Sequence, residues 1–365
     1  MSAPRWTITA LTIPGRENYL QQLIQSLEAT VIPGGARLVI VYNRAIRDEL
    51  ADVERTIRSW ASSLEVEVHF NNGDPTISGG RNYQLNLVKS PLVCFVDDDI
   101  TVHGDAFLTI EAAMQRVPAG LMGLRSYRED TDEQFKPRDS TPHVITPEFR
   151  YQPVQGMLVA SYTNLLRDVG GFNPRRRFWG EWTELNLRMW RSGFPTGHVM
   201  TGGYLRHWEK APDSPTRNMD GRARHVLWGL ICTALEYDAV DMSQATETFW
   251  RLVQERYLAY SFGDELSHQE LLRATLELVP DLSAEWAAIT AFRDGVASHP
   301  FDFKPFQPLT EEDLERVLPS ARRMLRRYRW TAWPRRTAAR KLGAVIGKLL
   351  VRPPRPLALR PEEPG

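Results

Sequence analysis

Two periodicities alternate over the first hundred residues, and that alternation restricts the chain to a sheet whose strands are joined through helices. TITALTI (7–13), RLVIVY (37–42), VEVHF (66–70) and LVCFV (92–96) are short runs rich in β-branched and aromatic residues. Between them lie stretches with apolar residues at helical spacing: NYLQQLIQSLEAT (18–30), residues 45–63, and a helix that opens at ISGGRN and runs to about Lys89. Strands separated by helices pair in parallel, and their helices cover both faces of the sheet. VQGMLVAS (154–161) reads as a further strand, TNLLRDVGGF as a short helix stopped by Gly170 and Gly171, and residues 179–194 as a helix ended by Gly193.

In such sheets ligands collect outside the carboxyl ends of the strands. There the sequence places Asp97, Asp98 and Asp99, directly after the apolar half of CFVDDDITV. Two readings stand side by side. Asp favours turns and bonds its own backbone, so the three form a solvated turn. Alternatively a hard divalent cation belongs there, because oxygen ligands relieve repulsion between neighbouring carboxylates.

After about Asn218 the strand patterns stop, and HVLWGLICTALEY, TFWRLVQERYLAY, ELLRATLELV and DLERVLPSARRMLRRY are helical by pattern. The expected division is an α/β unit over 1–215, a helical extension over 216–330 and a basic, Pro-rich tail over 331–365. From Arg322 onward arginines and lysines mix with Trp330, Trp333 and LGAVIGKLLV, a combination found on helices that lie on membrane surfaces. A helix packed on its own domain with solvated arginines accounts for it equally well.

Lys plus Arg and Asp plus Glu number 45 each, which gives no global attraction to nucleic acid. Two cysteines, Cys94 and Cys232, are too few for a disulfide framework. With no signal-peptide pattern and no membrane-spanning run, a cytoplasmic location is expected, with contact at the inner membrane face if the tail provides it.

TIPGREN near the start, GGRN before the aspartates, VDDD, and GGFN followed by WGEWTELNLRMWRSGF and RHW occur in this order. Together they resemble glycosyltransferase family 2, over roughly residues 6–215. The resemblance implies the GT-A fold, a Rossmann-like α/β architecture with a mostly parallel central sheet, and inverting transfer from a UDP- or GDP-sugar to a glycan, lipid-linked, protein or small-molecule acceptor. Asp97 and Asp99 fall on the family's D-x-D motif, which implies that Asp97 lies near the nucleotide ribose and Asp99 coordinates Mn²⁺ or Mg²⁺. His207, which follows the GFPT run (193–196), stands where several relatives supply another metal ligand. Arg81, beside Asn82, matches a phosphate- or base-gripping arginine, and the nucleotide is expected against Thr12, Pro14, Arg16, Asn43 and Asp98. Asn43 stands where the family commonly has Asp. The family's acid pair opens the helix after GGF, but here Trp182 occupies the place of the usual base, leaving Glu181 as first candidate and Glu184 as second. Trp179 and Trp182 either stack on a sugar or pack. Two other functions compete: a nucleotidyltransferase of related fold, disfavoured by the single glycine and missing lysine of TIPGREN, and a glycosyltransferase-like carbohydrate- or membrane-binding protein without transfer activity.

Overall fold

The computed structural model describes residues 3–43, 50–128, 144–154, 156–208, 219–237, 268–304 and 309–333. The expected helix around 248–260 and the tail beyond Trp333 lie outside these residues. Strands β1 (Trp6–Thr12), β2 (Ala36–Asn43), β3 (Glu65–Asn71) and β4 (Leu92–Asp97) alternate with α1 (Glu17–Glu28), α2 (Leu50–Ser59) and α3 (Ile77–Leu87). Their pairings, β3 with β2, β2 with β1 and β1 with β4, are all parallel, as the alternation predicts. The apolar run Leu92–Val96 is completely buried, which is why it shows no polar alternation.

Beyond β4 the chain forms β5 (Ile100–His103), α4 (Ala106–Arg116), β6 (Leu121–Arg128), β7 (Val144–Ile145), β8 (Phe149–Tyr151) and β9 (Leu158–Tyr162). Next come α5 (Thr163–Asp168), α6 (Glu181–Arg191) and β10 (Thr196–His207). The ten strands make one sheet in the order β3-β2-β1-β4-β9-β6-β10-β8-β7, with β5 paired to β10 off that path. The sheet is mostly parallel, as the resemblance implies, with antiparallel pairing beyond β4. β9 inserts antiparallel between β4 and β6, with Leu92 opposite Tyr162 and Val96 opposite Leu158. A continuous apolar run marks a strand as buried on both faces but says nothing about its direction.

The remaining described elements are helices: α7 (Met219–Tyr237), α8 (His268–Ala284), α9 (Trp286–Ala297) and α10 (Glu311–Ala332). α10 starts at a capping box in which Thr310 and Asp313 satisfy each other's backbone N–H groups. Its apolar side, Leu314, Val317, Ala321, Met324, Leu325 and Tyr328, is buried in the same core as the strands. Tyr328 donates to Asp168 at 2.7 Å, Arg329 to the carbonyls of Met114 at 2.9 Å and Val117 at 2.7 Å, and the Trp333 indole to Glu111 at 2.8 Å. The basic stretch from Arg322 to Trp333 is therefore a strap on the protein's own core, and its apolar face is not available to lipid. Among the described residues no helix is long and apolar enough to cross a membrane.

At the carboxyl end of α1, Glu28 accepts bonds from the backbone N–H groups of Ser62, Ser63 and Leu64 and from the hydroxyls of Ser62 and Ser63, at 2.7–3.2 Å. Burial alone would raise its proton affinity, but these donors outweigh it and hold the carboxyl at about 2. A depressed carboxyl contributes stability that is complete above its ordinary value near 4.5 and lost as pH falls towards 2. Denaturant titrations are expected to show the wild type exceeding Glu28→Gln by about 1 kcal/mol at neutral pH, after allowing for solvent exposure. The difference should vanish near pH 2, and a gap independent of pH would refute the assignment.

Candidate active site

The three aspartates have different surroundings. Asp98 is 5% exposed and saturated: Arg16 donates Nε at 2.8 Å and Nη2 at 2.7 Å, and the Thr12 hydroxyl donates at 2.6 Å. The Arg16 guanidinium also reaches Asp99 Oδ2 at 2.8 Å and lies 5.2 Å over the Tyr19 ring. Thr12, Arg16 and Asp98 thus tie the exit of β1 to the exit of β4. Asp97 and Asp99, on either side, keep 33% and 17% of their side-chain surface open.

Asp97 Oδ1 accepts from Arg81 Nη2 at 2.5 Å, and Arg81 itself is 3% exposed, with its guanidinium 5.7 Å from the Phe95 ring and 5.8 Å from that of Trp182. Burial, reinforced by Asp99 and Asp98 and opposed by Arg81, pushes Asp97 up to about 6. Asp99 goes the other way. Burial would raise it too, but His207 and Arg16 hold it below the ordinary carboxylate range.

His207 arrives from a distant part of the sequence. The end of β10 runs antiparallel to β5, with His207 opposite Ile100, so the imidazole is delivered beside the residue before it. Its Nε2 lies 3.4 Å from Asp99 Oδ1, and the Trp208 N–H closes the corner on the Asp99 carbonyl at 3.0 Å. Among the described residues no three His, Cys, Asp or Glu side chains already form a closed metal cage. The donors nevertheless suit a divalent ion: two adjacent ligands of an ion bound at about 2.1 Å stand about 3 Å apart, close to the His207–Asp99 spacing, and carboxylate with imidazole suits Mn²⁺. Four carboxylates, Asp97, Asp98, Asp99 and Glu181, face two guanidiniums here, so added positive charge is accommodated.

Glu181 is the first residue of α6, after Gly180 in the left-handed conformation (φ +85°) that only glycine adopts freely. It is half-buried, and burial raises its proton affinity; Arg81 opposes the rise and Asp97 adds to it, which places the carboxyl within electrostatic reach of both. Trp182 is not an acid substitute facing the crevice. It is 7% exposed, packs edge-on against Phe95 and Phe172, and lies so close to Gly156 that a Cβ there would meet the indole at 2.3 Å.

Glu184 is separated from the others. It is fully buried; Arg188 grips both its oxygens at 2.8 Å, the Tyr237 hydroxyl donates to it, and these partners overcome burial and lower its proton affinity. On α7, directly before Tyr237, Glu236 is also fully buried and accepts from Arg175 at 2.6 Å, Asn173 at 3.1 Å and Arg176. α7 presses on the turn before α6: a Cβ at Gly229 would meet the Trp179 carbonyl at 2.8 Å, and the Trp179 ring packs there. Asn43, 3% exposed, donates to the Thr76 carbonyl at 3.1 Å and accepts from Asn71 at 2.9 Å, while Pro14 is exposed. The structure therefore pairs Asp97 with Arg81 and Asp99 with His207, sets Glu181 within electrostatic range of Asp97 and Arg81, and spends the polar ends of Thr12, Arg16, Asp98, Asn43 and Glu184 internally. The roles of Tyr237 and Glu236 carry no motif in the sequence; a buried glutamate on a helix is visible only once its arginines are placed.

Residues 12–179 match the sequence profile described as glycosyl transferase family 2. No curated protein matches the chain by sequence. Similar solved structures include GalNAc-T7 with UDP, GalNAc and Mn²⁺, at 16% identity and TM-score 0.47, covering 70% of this chain and 58% of that one. TarS of S. aureus gives 14% identity and TM-score 0.46, covering 90% of this chain and 53% of that one. The mannosyltransferase PcManGT from Pyrobaculum calidifontis with GDP-Man and Mn²⁺ gives 15% and 0.46, covering 81% and 87%. This chain spans little more than half the length of the first two.

Proposed function

We propose that this family 2 glycosyltransferase, matched to its family over residues 12–179, transfers a sugar with inversion from a UDP- or GDP-sugar and uses Mn²⁺ or Mg²⁺ held by Asp97, Asp99 and His207. One observation carries the reading. At the carboxyl end of β4 the two outer aspartates stay open to the crevice beside His207, whereas the middle one is sealed by Arg16 and Thr12. A bound divalent ion would supply charge stabilisation for the departing diphosphate.

The chain's own residues do the rest. Arg16, Asp98 and Thr12 fix the turn so that Asp97 and Asp99 present their carboxylates outward, and Arg81 holds Asp97 from below. Glu181 takes the proton of the acceptor hydroxyl as that oxygen bonds to the anomeric carbon, on the face opposite the breaking bond to phosphate. A base whose proton affinity is raised by burial is better matched to neutral pH than an ordinary glutamate. Trp182 forms the wall behind Arg81, and Glu184 anchors α6. The catalytic unit in this reading joins the α/β portion to the helices that follow it, acting on a glycan, lipid-linked, protein or small-molecule acceptor and not on nucleic acid. A nucleotide-sugar substrate and two buried free cysteines suit a cytoplasmic setting.

Calorimetric titration of UDP- and GDP-sugars tests the core of this reading. Binding is expected to require Mn²⁺ or Mg²⁺, and Asp99→Asn is expected to weaken the metal-dependent part by about 10–100-fold. Unchanged donor affinity after chelation would sink the metal assignment.

A further inference from the structure

A second surface, at the far end of the molecule, carries charge that the fold does not use. On α10 Arg322, Arg323 and Arg326 are exposed, and Trp330 keeps 40% of its surface open. Positions 322, 326 and 330 recur every four residues and lie along one line of the helix, about 12 Å long. The opposite face of the helix is in the core. Ion pairs on this helix involve its other arginines, Arg316 with Asp313 at 3.1 Å and Arg327 with Asp168 at 3.7 Å; among the described residues none of the three exposed arginines meets a carboxylate. The sequence beyond Trp333 continues the same sign with Arg335, Arg336, Arg340 and Lys341.

We propose that this face docks the protein on an anionic membrane surface, with the three guanidiniums on lipid phosphates and the Trp330 indole in the headgroup layer. Arginine bonds phosphate oxygens in pairs, and indole favours a boundary where one edge is wet and the other apolar. A convex helix face meets a flat surface along its length, whereas a polymer chain would call for a groove. The apolar side of α10 is already buried, so attachment is electrostatic and shallow, without insertion of the helix.

The fold also sets the direction. Among the described residues, contacts of the carboxyl half of α10 lie where the parallel strands begin: Met324 beside Gly193, Tyr328 on Tyr162 at 6.0 Å between rings, and Arg329 on Met114 and Val117. Tyr162 stands opposite Leu92, the first residue of β4, and Asp97 is the last. A docked molecule therefore turns its crevice towards solvent.

Co-sedimentation of the full chain with vesicles reads the docking without turnover, independently of any transferase activity. The protein is expected to sediment with phosphatidylcholine/phosphatidylglycerol vesicles, to stay in solution with phosphatidylcholine alone, and to be released by about 0.5 M salt. The triple variant Arg322→Gln/Arg323→Gln/Arg326→Gln is expected to lose about 100-fold in partitioning, and Trp330→Ala a smaller factor, with unchanged thermal melting showing that the fold persists. Equal sedimentation of the triple variant and the parent would overturn the proposal. So would equal binding to neutral vesicles, binding to neither kind, or retention on heparin or RNA without vesicle binding.

Discussion

Glu181→Gln is expected to lower the rate of sugar transfer by about 10²–10⁴-fold, the usual contribution of a positioned general base, while metal-dependent donor binding stays near wild type. The amide is nearly isosteric and cannot accept the proton. Glu181 stands at the mouth of α6, half-exposed and electrostatically coupled to Asp97 and Arg81, so its loss should be felt in kcat and little in donor affinity. Glu184→Gln is the informative companion. That residue is fully buried against Arg188 and Tyr237, so the same change should destabilise the protein and reduce activity mainly through the amount of folded enzyme. The reverse pattern, with Glu181→Gln active and a folded Glu184→Gln inert, would transfer the base to Glu184.

The largest effect on stability is expected from Glu236→Leu. This one carboxylate takes bonds from Asn173, Arg175 and Arg176, and Arg176 is as completely buried as the glutamate itself. Removing it leaves guanidinium charge without compensation in the interior, a loss of about 3–5 kcal/mol. An exposed pair offers the control: Arg224 and Asp281 meet at 3.1 Å with about half of each side chain in solvent, so Arg224→Ala should change stability by less than about 1 kcal/mol. Chemical denaturation of both variants measures the contrast, and similar midpoints would show that the buried cluster is not what holds α7 in place.

The sequence made the first four strands legible because each is a short apolar run separated by an amphipathic helix. Direction was harder to read. Nothing in Leu158–Tyr162 says that it runs against β4, since a strand buried on both faces has the same pattern either way. β6 and β10 escaped notice because small residues break their runs, as in TGHVMTGGYLRH, and β8 because it is only three residues long. His207 was nevertheless placed near the aspartates through family resemblance; the structure supplies the reason, antiparallel pairing of β10 with β5. Glu181 and Glu184 looked equivalent at a spacing of three. Three residues advance a helix by about 300°, so their side chains stand about 60° apart, enough here to leave one at the crevice and bury the other. The resemblance sets Asp98 apart only as the middle residue of D-x-D; that it is sealed could not be read, because the arginine that seals it lies 82 positions earlier in the chain.

The grip of α7 on the turn before α6 has a consequence for exchanging parts between enzymes of this kind. The family match ends at residue 179, just before the left-handed Gly180, and before Glu181, His207 and the glutamate that neutralises Arg175 and Arg176. A chimaera joined at that border would carry the aspartates without the proposed base, Glu181, and would strand two buried cations. The smallest unit that can be transplanted with its chemistry intact therefore reaches past Tyr237, and a change of acceptor preference is better sought by surface substitution around the crevice than by swapping whole segments.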